Sequence, residues 1–334
     1  MEKKIEILVN KENSGQRIDK LISFIFSKNS EITPPQKVLS NNFDNSNEIN
    51  SLTRSKFQKL LKNGDVNING KEIFSKSHKV HTNDKIIFSL PKQELPTAEA
   101  ENIALDIFYE DDDLLVVNKP RGMVVHPAAG HRCGTLVNAL IFHCKDSLSK
   151  ISGNLRLGIV HRIDKDTSGL LIVAKNDHTH IKLAEQIKQH SFLREYETIV
   201  NGNIKKPFGK IIAPIGRDHN NRKRMRVTLK NSKNAITHFR VIQNFKNFSH
   251  VSLKLETGRT HQIRVHMANI KHPIVGDFLY GSPKEICKTL NGQCLHAKTI
   301  GFVHPSTGRY ICIKSDLPEY FRTLLNQLKT SSFC

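Results

Sequence analysis

Between residues 104 and 325, short apolar runs rich in β-branched residues alternate with polar segments, only a few of which have a helical pattern. The strand candidates are residues 114–117, 170–173, 196–200 and 251–255. One helix is indicated at residues 177–190 by Ile181, Ala184 and Ile187. Because strands and helices do not follow a strict βαβ rhythm, the pattern predicts an α+β domain around a mixed, largely antiparallel sheet.

Residues 15–90 carry a different pattern, typical of a smaller module. Its first helix is predicted from Ile18, Leu21, Ile22 and Ile25, which share one helical face. Residues 29–51 follow, with two adjacent prolines and an Asn/Ser-rich tail, and they predict a flexible polar insertion. A chain of 334 residues is long enough for this module and a second, larger domain.

A second helix and a hairpin complete the small module. Thr53 is a candidate helix cap, Asn63-Gly64 tolerates the left-handed backbone of a helix end, and Asn69-Gly70 is a strong hairpin turn signal. Residues 91–103 contain two prolines and predict a linker. The larger domain is therefore expected at residues 104–325.

The chain is strongly basic, with 51 Lys+Arg against 31 Asp+Glu and a formal charge of +20. Two segments concentrate the positive charge: residues 217–233, with seven basic side chains and one acid, and the second N-terminal helix, with Arg54, Lys56, Lys59 and Lys62. Such surfaces attract polyanions and displace counterions from phosphates. Composition thus predicts a nucleic-acid partner.

Several other classes are disfavoured by composition. The six cysteines form no CxxC pair, which argues against a disulfide framework and against structural zinc. The N terminus has no signal-peptide pattern, and no apolar run approaches the roughly 18 residues of a membrane span. We expect a monomer in the reducing cytosol with no membrane partner.

The densest group of reactive side chains lies at residues 158–169, which read Gly-Ile-Val-His-Arg-Ile-Asp-Lys-Asp-Thr-Ser-Gly between two apolar runs. A loop between rigid strands is a common place for catalytic groups. Asp164 and Asp166 both offer a carboxylate, as a glycosidase would require. However, Asp166-Thr167-Ser168-Gly169 has the composition of a turn stabilised by side-chain hydrogen bonds, so Asp166 is interpreted as structural.

A second group reads Glu-Thr-Gly-Arg-Thr-His-Gln-Ile-Arg-Val-His at residues 256–266. It predicts a turn at the glycine and a helix capped by Thr260, with His261 and Arg264 one helical turn apart and facing one cleft. A guanidinium beside a catalytic carboxylate keeps it ionised and oriented. The histidines of this region lack metal-ligand spacing, so no metal is expected.

These strings, together with Arg-Glu-Tyr-Glu-Thr-Ile-Val-Asn-Gly at residues 194–202, resemble the signature motifs of the RluA family of RNA pseudouridine synthases. The three strings occur in the family's order, and the resemblance covers nearly the whole chain. Residues 52–70, a basic helix followed by a hairpin, are similar to the S4 RNA-binding domain. Such a domain precedes the catalytic domain in the branch that these motifs resemble most.

The resemblance implies a function and a set of roles. Asp164 would be the catalytic carboxylate, paired with Arg264, and Tyr196 would stack on the flipped base and move a proton. The expected substrate-binding residues are Arg162, Arg259, His261, Arg54, Lys56 and Lys59. The reaction would need no cofactor, and the partner would be 23S ribosomal RNA or a large-subunit particle. The resembled branch implies uridines of the helix 69 hairpin.

Three alternatives stay open at this stage. A nucleoside hydrolase built on Asp164 and Asp166 would release free uracil. A non-catalytic RNA-binding assembly factor would explain the charge but leave Asp164, Tyr196 and Arg264 unused. The same isomerisation at another 23S site, that of the related synthase C, differs only in substrate. A kinase is disfavoured because no glycine-rich phosphate loop precedes the His-Arg-Ile-Asp string.

Overall fold

The computed structural model describes residues 3–26, 52–90, 97–128, 130–281 and 290–330. The chain divides into two compact units, Met1–Leu95 and Pro96–Cys334. The insertion predicted at 29–51 lies outside the described residues, and so does the first part of the predicted linker, while residues 97–103 have no regular secondary structure. No helix in the described ranges is long and apolar enough to cross a membrane.

The N-terminal unit consists of a four-stranded antiparallel sheet and two helices. Its elements are β1 (Lys3–Leu8), α1 (Ile18–Ile25), α2 (Arg54–Asn63), β2 (Val66–Ile68), β3 (Lys71–Glu72) and β4 (Lys85–Leu90), and the strand order is β1-β4-β2-β3. Apolar side chains of both helices and of the sheet form one buried core. The two helices and the hairpin predicted for this unit are confirmed.

The local signals of the N-terminal unit act as predicted. The Thr53 hydroxyl accepts a hydrogen bond from the Lys56 amide at the start of α2. Gly64 ends the helix in the left-handed conformation, at φ +84°. The Asn69-Gly70 turn, with both residues at positive φ, joins β2 to β3. Short-range sequence chemistry therefore determines most of this small unit.

The C-terminal unit is built on a nine-stranded sheet with helices packed on it. Nine of the unit's described strands form this sheet, and β10, β11 and β12 form a separate small sheet. The strands are β5 (Ile107–Glu110), β6 (Leu114–Lys119), β7 (Ser168–Ala174), β8 (Leu193–Asn201), β9 (Phe208–Ile212), β10 (Ile215–Arg217), β11 (Met225–Val227), β12 (Ser232–Lys233), β13 (Ile236–Asn244), β14 (Phe248–Leu255), β15 (Leu295–Val303) and β16 (Tyr310–Lys314). Its helices are α3 (Leu136–Cys144), α4 (Asp177–Lys188), α5 (Gln262–Asn269) and α6 (Glu319–Thr330).

The order in the large sheet is β5-β6-β7-β15-β8-β14-β13-β9, and β16 pairs with β15. Among the described strands only β7 and β15 pair in parallel; the other pairs are antiparallel. The predicted α+β class with a mixed, largely antiparallel sheet is confirmed. The four predicted strands lie within β6, β7, β8 and β14.

Helix α4 is confirmed, but its predicted face is not the buried one. Leu183 is fully buried, whereas Ile181 is 49% exposed. Ala184 and Ile187 instead line a cavity beside the sheet. The apolar spacing at these positions therefore indicated the helix correctly, although Ile181 and Ala184 are exposed and Ile187 is only partly buried against the core.

Gly169, where β7 pairs in parallel with β15, allows an unusually close approach of two backbones. Its φ is +115°, and a Cβ built there would lie 2.2 Å from the Ala297 carbonyl oxygen. Only glycine fits both the backbone conformation and the space. This contact fixes the end of the preceding loop, residues 158–167, against the centre of the sheet.

Candidate active site

Asp164 lies in the irregular loop directly before β7, and several backbone contacts hold that loop in place. The amide of Thr167 donates to the carbonyl of Asp164, which closes a turn around Asp166. The Gly122 amide and the buried Lys119 ammonium both donate to the Lys165 carbonyl. Asp164 lines the cavity and Asp166 does not, and the structural role of Asp166 stays a prediction.

Arg264, on the first turn of α5, holds one oxygen of Asp164. Its Nη1 donates to Asp164 Oδ2 at 2.9 Å. The same guanidinium makes a two-point contact with Asp277, from Nε at 2.7 Å and Nη2 at 2.9 Å. Asp277 is fully buried and also accepts from the amides of Leu279 and Tyr280. The guanidinium is thus fixed between two carboxylates.

The charge of Arg264 is secured by these partners. Burial acts to lower the pKa of its guanidinium, but the hydrogen bonds and charges of Asp277 and Asp164 outweigh burial and raise the pKa. Asp164 is only partly enclosed, with 18% of its side chain exposed. The carboxylate is therefore held on one side and open to the cavity on the other.

His261 approaches the second oxygen of Asp164. Its Nε2 lies 3.8 Å from Oδ1, beyond hydrogen-bond distance, and its Nδ1 is 2.8 Å from the Tyr280 hydroxyl. Burial is the main reason that the pKa of His261 is lowered, so the ring is neutral near pH 7. The helix begins after His261, which has a left-handed backbone (φ +57°); the predicted cap at Thr260 is wrong.

Tyr196 occupies an inward position of β8 beside the same cavity and is 6% exposed. Burial raises the pKa of its phenol, and the charge of Asp164 adds to that effect. The phenol therefore stays protonated at neutral pH, so that it can present an uncharged ring and hydroxyl to a bound group. The structure brings Asp164, Tyr196 and Arg264 to one cavity of about 560 Å³.

The predicted substrate-binding residues of this unit are at the same cavity. Arg162, Arg259 and His261 all line it. Arg162 Nη1 lies 3.3 Å from Nε2 of the buried His126, whose pKa is lowered to about 4, mainly by burial. Arg259 Nε donates to the Asn234 carbonyl at 3.0 Å. Two exposed arginines and a neutral imidazole thus surround the carboxylate.

Arg54, Lys56 and Lys59 belong to the N-terminal unit and are exposed on α2. The sequence segment around them contains no acid, yet Arg54 has one as partner in space. Its Nε and Nη2 donate to Asp19 Oδ2 at 3.0 and 2.7 Å. The charge of this group of basic side chains is therefore partly compensated by α1.

Three histidines lie in and just after the 256–266 string, namely His261, His266 and His272, and each has its own partner. His266 is bonded to Thr237 and to the Ala213 carbonyl, and His272 to the Asn201 carbonyl. Two groups of potential metal ligands exist among the described residues: Glu110 with His143 and Cys144, and Asp111 with Asp113 and His304. Neither group includes a residue that lines the cavity.

Two residues that contribute to the site were not predicted from the sequence. Asp277 fixes Arg264, and Tyr280 contacts His261 and lies 5.1 Å from the Arg264 guanidinium carbon. The sequence contains a weak signal, since Asp277 directly follows Gly276 near the Arg264 motif. The structure shows that this glycine has a positive φ, as in a turn. A carboxylate at such a turn gives no indication by itself that it pairs with an arginine in a neighbouring helix.

This chain is similar to known proteins in both sequence and fold. The sequence model of the RNA pseudouridylate synthase family matches residues 113–269. The Bacillus subtilis (strain 168) protein named uncharacterized RNA pseudouridine synthase YlyB is 46% identical over 97% of this chain and 98% of its own length. Ribosomal large subunit pseudouridine synthase D of Pseudomonas aeruginosa is 38% identical over 95% and 93% of the two chains.

The fold has a counterpart among solved structures. Human RNA pseudouridylate synthase domain containing 1 superposes with a TM-score of 0.53 at 24% identity, covering 69% of this chain and 96% of that one. This likeness concerns the fold alone. The sequence matches, which span almost the entire chain, show that it belongs to the RluA family of RNA pseudouridine synthases and is an isomerase.

Proposed function

We propose that this protein converts uridines in the helix 69 hairpin of 23S ribosomal RNA to pseudouridine, with Asp164 as the catalytic carboxylate. One observation carries the catalytic assignment. Arg264, itself fixed by the buried Asp277, holds one oxygen of Asp164, while the carboxylate lines a cavity large enough for a nucleoside. This arrangement keeps a negative charge oriented where a substrate can reach it.

The chemistry requires little more than such a charge. The bond between uracil N1 and ribose C1′ breaks, the base rotates, and C5 forms a new bond to C1′. C5 loses its proton and N1 gains one, so the mass of the RNA is unchanged. A carboxylate beside the sugar stabilises the cationic character that develops at C1′, as a nucleophile or as an ion pair.

Tyr196 would contact the detached base, and Arg162 would take part in extruding the base from the RNA. The protonated, buried phenol of Tyr196 offers a flat ring to the detached base and a hydroxyl for proton movement. Arg162, which is exposed and lines the cavity, would occupy the space left by an extruded base. Extrusion costs a few kcal/mol and is easier from a loop than from a stem, which favours a hairpin target.

The substrate assignment draws on charge and on relatives. Residues 215–233 form a small sheet, β11-β10-β12, and its apolar side packs against Val265 of α5. Its basic side chains are therefore fixed beside the helix that carries Arg264. Relatives from Zymomonas mobilis and Haemophilus influenzae, 42% and 36% identical, are named ribosomal large subunit pseudouridine synthase D. Together these features support a large-subunit RNA substrate.

The N-terminal unit is proposed to be an S4-like RNA-binding domain. Its α2 exposes Lys56 and Lys59 beside the hairpin of β2 and β3, which is the arrangement expected for contacts with RNA phosphates. We propose that this unit, working as part of a monomer, binds RNA next to the modified hairpin. Catalysis would then depend on the C-terminal unit alone.

A pseudouridine map of 23S RNA tests the substrate. A strain that lacks this gene should lose pseudouridine in helix 69, and plasmid-borne wild-type protein should restore it. Carbodiimide treatment followed by reverse transcription locates each pseudouridine. An intact helix 69, together with a loss at the synthase C site, would contradict the proposed substrate and leave the enzymatic class unchanged.

A further inference from the structure

We propose that Arg194 forms a phosphate-binding subsite inside the catalytic cavity, where it holds an RNA phosphate that flanks the target uridine. The inference rests on the proposed function, because it takes the reacting nucleoside to lie between Asp164 and Tyr196. It concerns a residue to which the sequence motifs gave no role. The argument begins with an arginine that is buried but lacks a compensating charge.

Arg194 is an inward-facing residue of β8 and is only 5% exposed, yet it lines the cavity. Its Nη2 donates weakly to the Glu256 carbonyl at 3.4 Å, and its buried Nε has no hydrogen-bond partner. Within the described parts of the chain, no carboxylate forms an ion pair with it. Buried arginines are nearly always paired, since an uncompensated charge in the interior is costly.

The nearby ionisable groups are otherwise engaged. The carboxylate of Glu256 contacts Lys210, at 2.9 Å, and His238. His161 accepts from the Ile172 amide, and its pKa is lowered to about 3, first by burial and then by the charge of Arg194. The neutral imidazole leaves the positive charge of Arg194 uncompensated. The missing anion is therefore one that enters the cavity.

Gly258 provides the space that the guanidinium occupies. A Cβ at this position would lie 2.7 Å from Arg194 Nη1. The glycine of the Glu-Thr-Gly-Arg-Thr string is thus explained by a side chain from another strand. Local packing keeps the guanidinium in the cavity wall, and a planar guanidinium is suited to binding the oxygens of a phosphate.

The cavity has the charge distribution that a nucleotide requires. Asp164, paired with Arg264 and through it with Asp277, would stand beside the reacting sugar. Arg194 and Tyr196 are two residues apart on the same face of β8, so roughly 6.6 Å of strand separates them. A base at Tyr196 therefore places its backbone phosphate within reach of Arg194.

Two further basic residues of the cavity would also favour an RNA backbone. Lys188 and Arg259 also line the cavity and are exposed, so they could contact the backbone beyond the phosphate at Arg194. A purely structural role for Arg194, tying β8 to the Glu256 carbonyl, would explain one long hydrogen bond. It would not explain the free Nε or the absence of a counter-charge among the described residues.

The test is a double-mutant cycle that combines substitution of Arg194 with neutralisation of a phosphate beside the target uridine. The probe is a synthetic RNA hairpin around a uridine that the wild-type protein modifies, with the linkage on either side of that uridine replaced in turn by a neutral methylphosphonate. Dissociation constants of the full-length protein are measured at fixed salt for each RNA. The variants are Arg194→Gln, Arg194→Lys and, as a matched control that removes an exposed charge on α4, Lys182→Gln.

For one of the two linkages, neutralisation should weaken wild-type and Lys182→Gln binding about tenfold, but Arg194→Gln binding less than twofold. Arg194→Lys should show an intermediate effect and serves as the comparison if Arg194→Gln does not fold. An equal effect in wild type and in both Arg194 variants overturns the proposal. An effect below twofold at both linkages in the wild type also overturns it. Neutralising the linkage should weaken binding by Asp164→Asn as much as binding by the wild type. This binding test therefore does not depend on whether Asp164 is the catalytic carboxylate.

Discussion

Asp19 in the N-terminal unit and Asp164 in the C-terminal unit are both carboxylates held by arginine, and they differ in what is left free. Asp19 has no exposed surface and accepts hydrogen bonds from Arg17, Arg54 and Gln58. Burial opposes its ionisation, but these bonds outweigh burial and lower its pKa to about 2. Asp164 receives one hydrogen bond from Arg264 and keeps 18% of its side chain exposed.

The contrast separates a structural carboxylate from a reactive one. Every donor around Asp19 stabilises the folded unit, and little of the carboxylate remains for a ligand. At Asp164 the second guanidinium contact is directed to Asp277, so the arginine is fixed without covering the reactive oxygen. Sharing one arginine between two carboxylates therefore provides rigidity and access together.

The largest expected effect comes from removing the charge of Asp164. Asp164→Asn should lower the single-turnover rate at least about a thousandfold and change RNA affinity only a few-fold, because the shape and the basic surfaces persist. Single-turnover assays and filter binding measure the two quantities. Asp19→Asn is the matched control: it should lower the melting temperature and leave the rate at saturating protein unchanged. Substantial isomerisation by Asp164→Asn would remove this residue from the catalytic role.

A smaller effect is expected from the residue that fixes the arginine. Asp277→Asn keeps the size of the side chain but removes its charge, so Arg264 loses part of its orientation. We expect kcat to fall about ten- to a hundredfold with little change in RNA affinity. Asp113→Asn, at a partly buried polar cluster that does not line the cavity, provides the comparison. A change in affinity alone would mean that Asp277 supports RNA binding and does not orient Arg264.

The smallest effect should follow removal of the unit that contains Asp19. Deletion of residues 1–95 should weaken RNA affinity up to about tenfold and reduce the salt dependence of binding, because exposed basic side chains of α2 are lost. Single-turnover rates at saturating protein should persist. Rates that fell as far as the affinity would show that the two units cannot act separately.

Much of this architecture is readable from sequence because it depends on local patterns. Short apolar runs located the central strands, and Asn69-Gly70 located the hairpin. Asp164 and Arg264 came from motifs that combine unusual residue types. Their placement within hydrogen-bond distance confirms that the two motifs meet at one cavity.

The parts that could not be read depend on tertiary packing. Arg194 received no role from the sequence, because a strand pattern does not show that an arginine at an inward position lines a cavity. Asp277 lies in a segment whose residue spacing does not indicate that it folds against Arg264. The left-handed backbone of His261 violates the usual rule for helix starts, and such exceptions concentrate at functional sites.

The close fit of Gly258 against the Arg194 guanidinium has a consequence for how this chain can vary. A side chain at position 258 would require the flexible end of Arg194 to move, so position 258 influences where the guanidinium lies. A mutagenesis library that randomises position 258 should therefore yield clones that keep the fold, because the end of a long side chain can move, but whose RNA affinity is lowered.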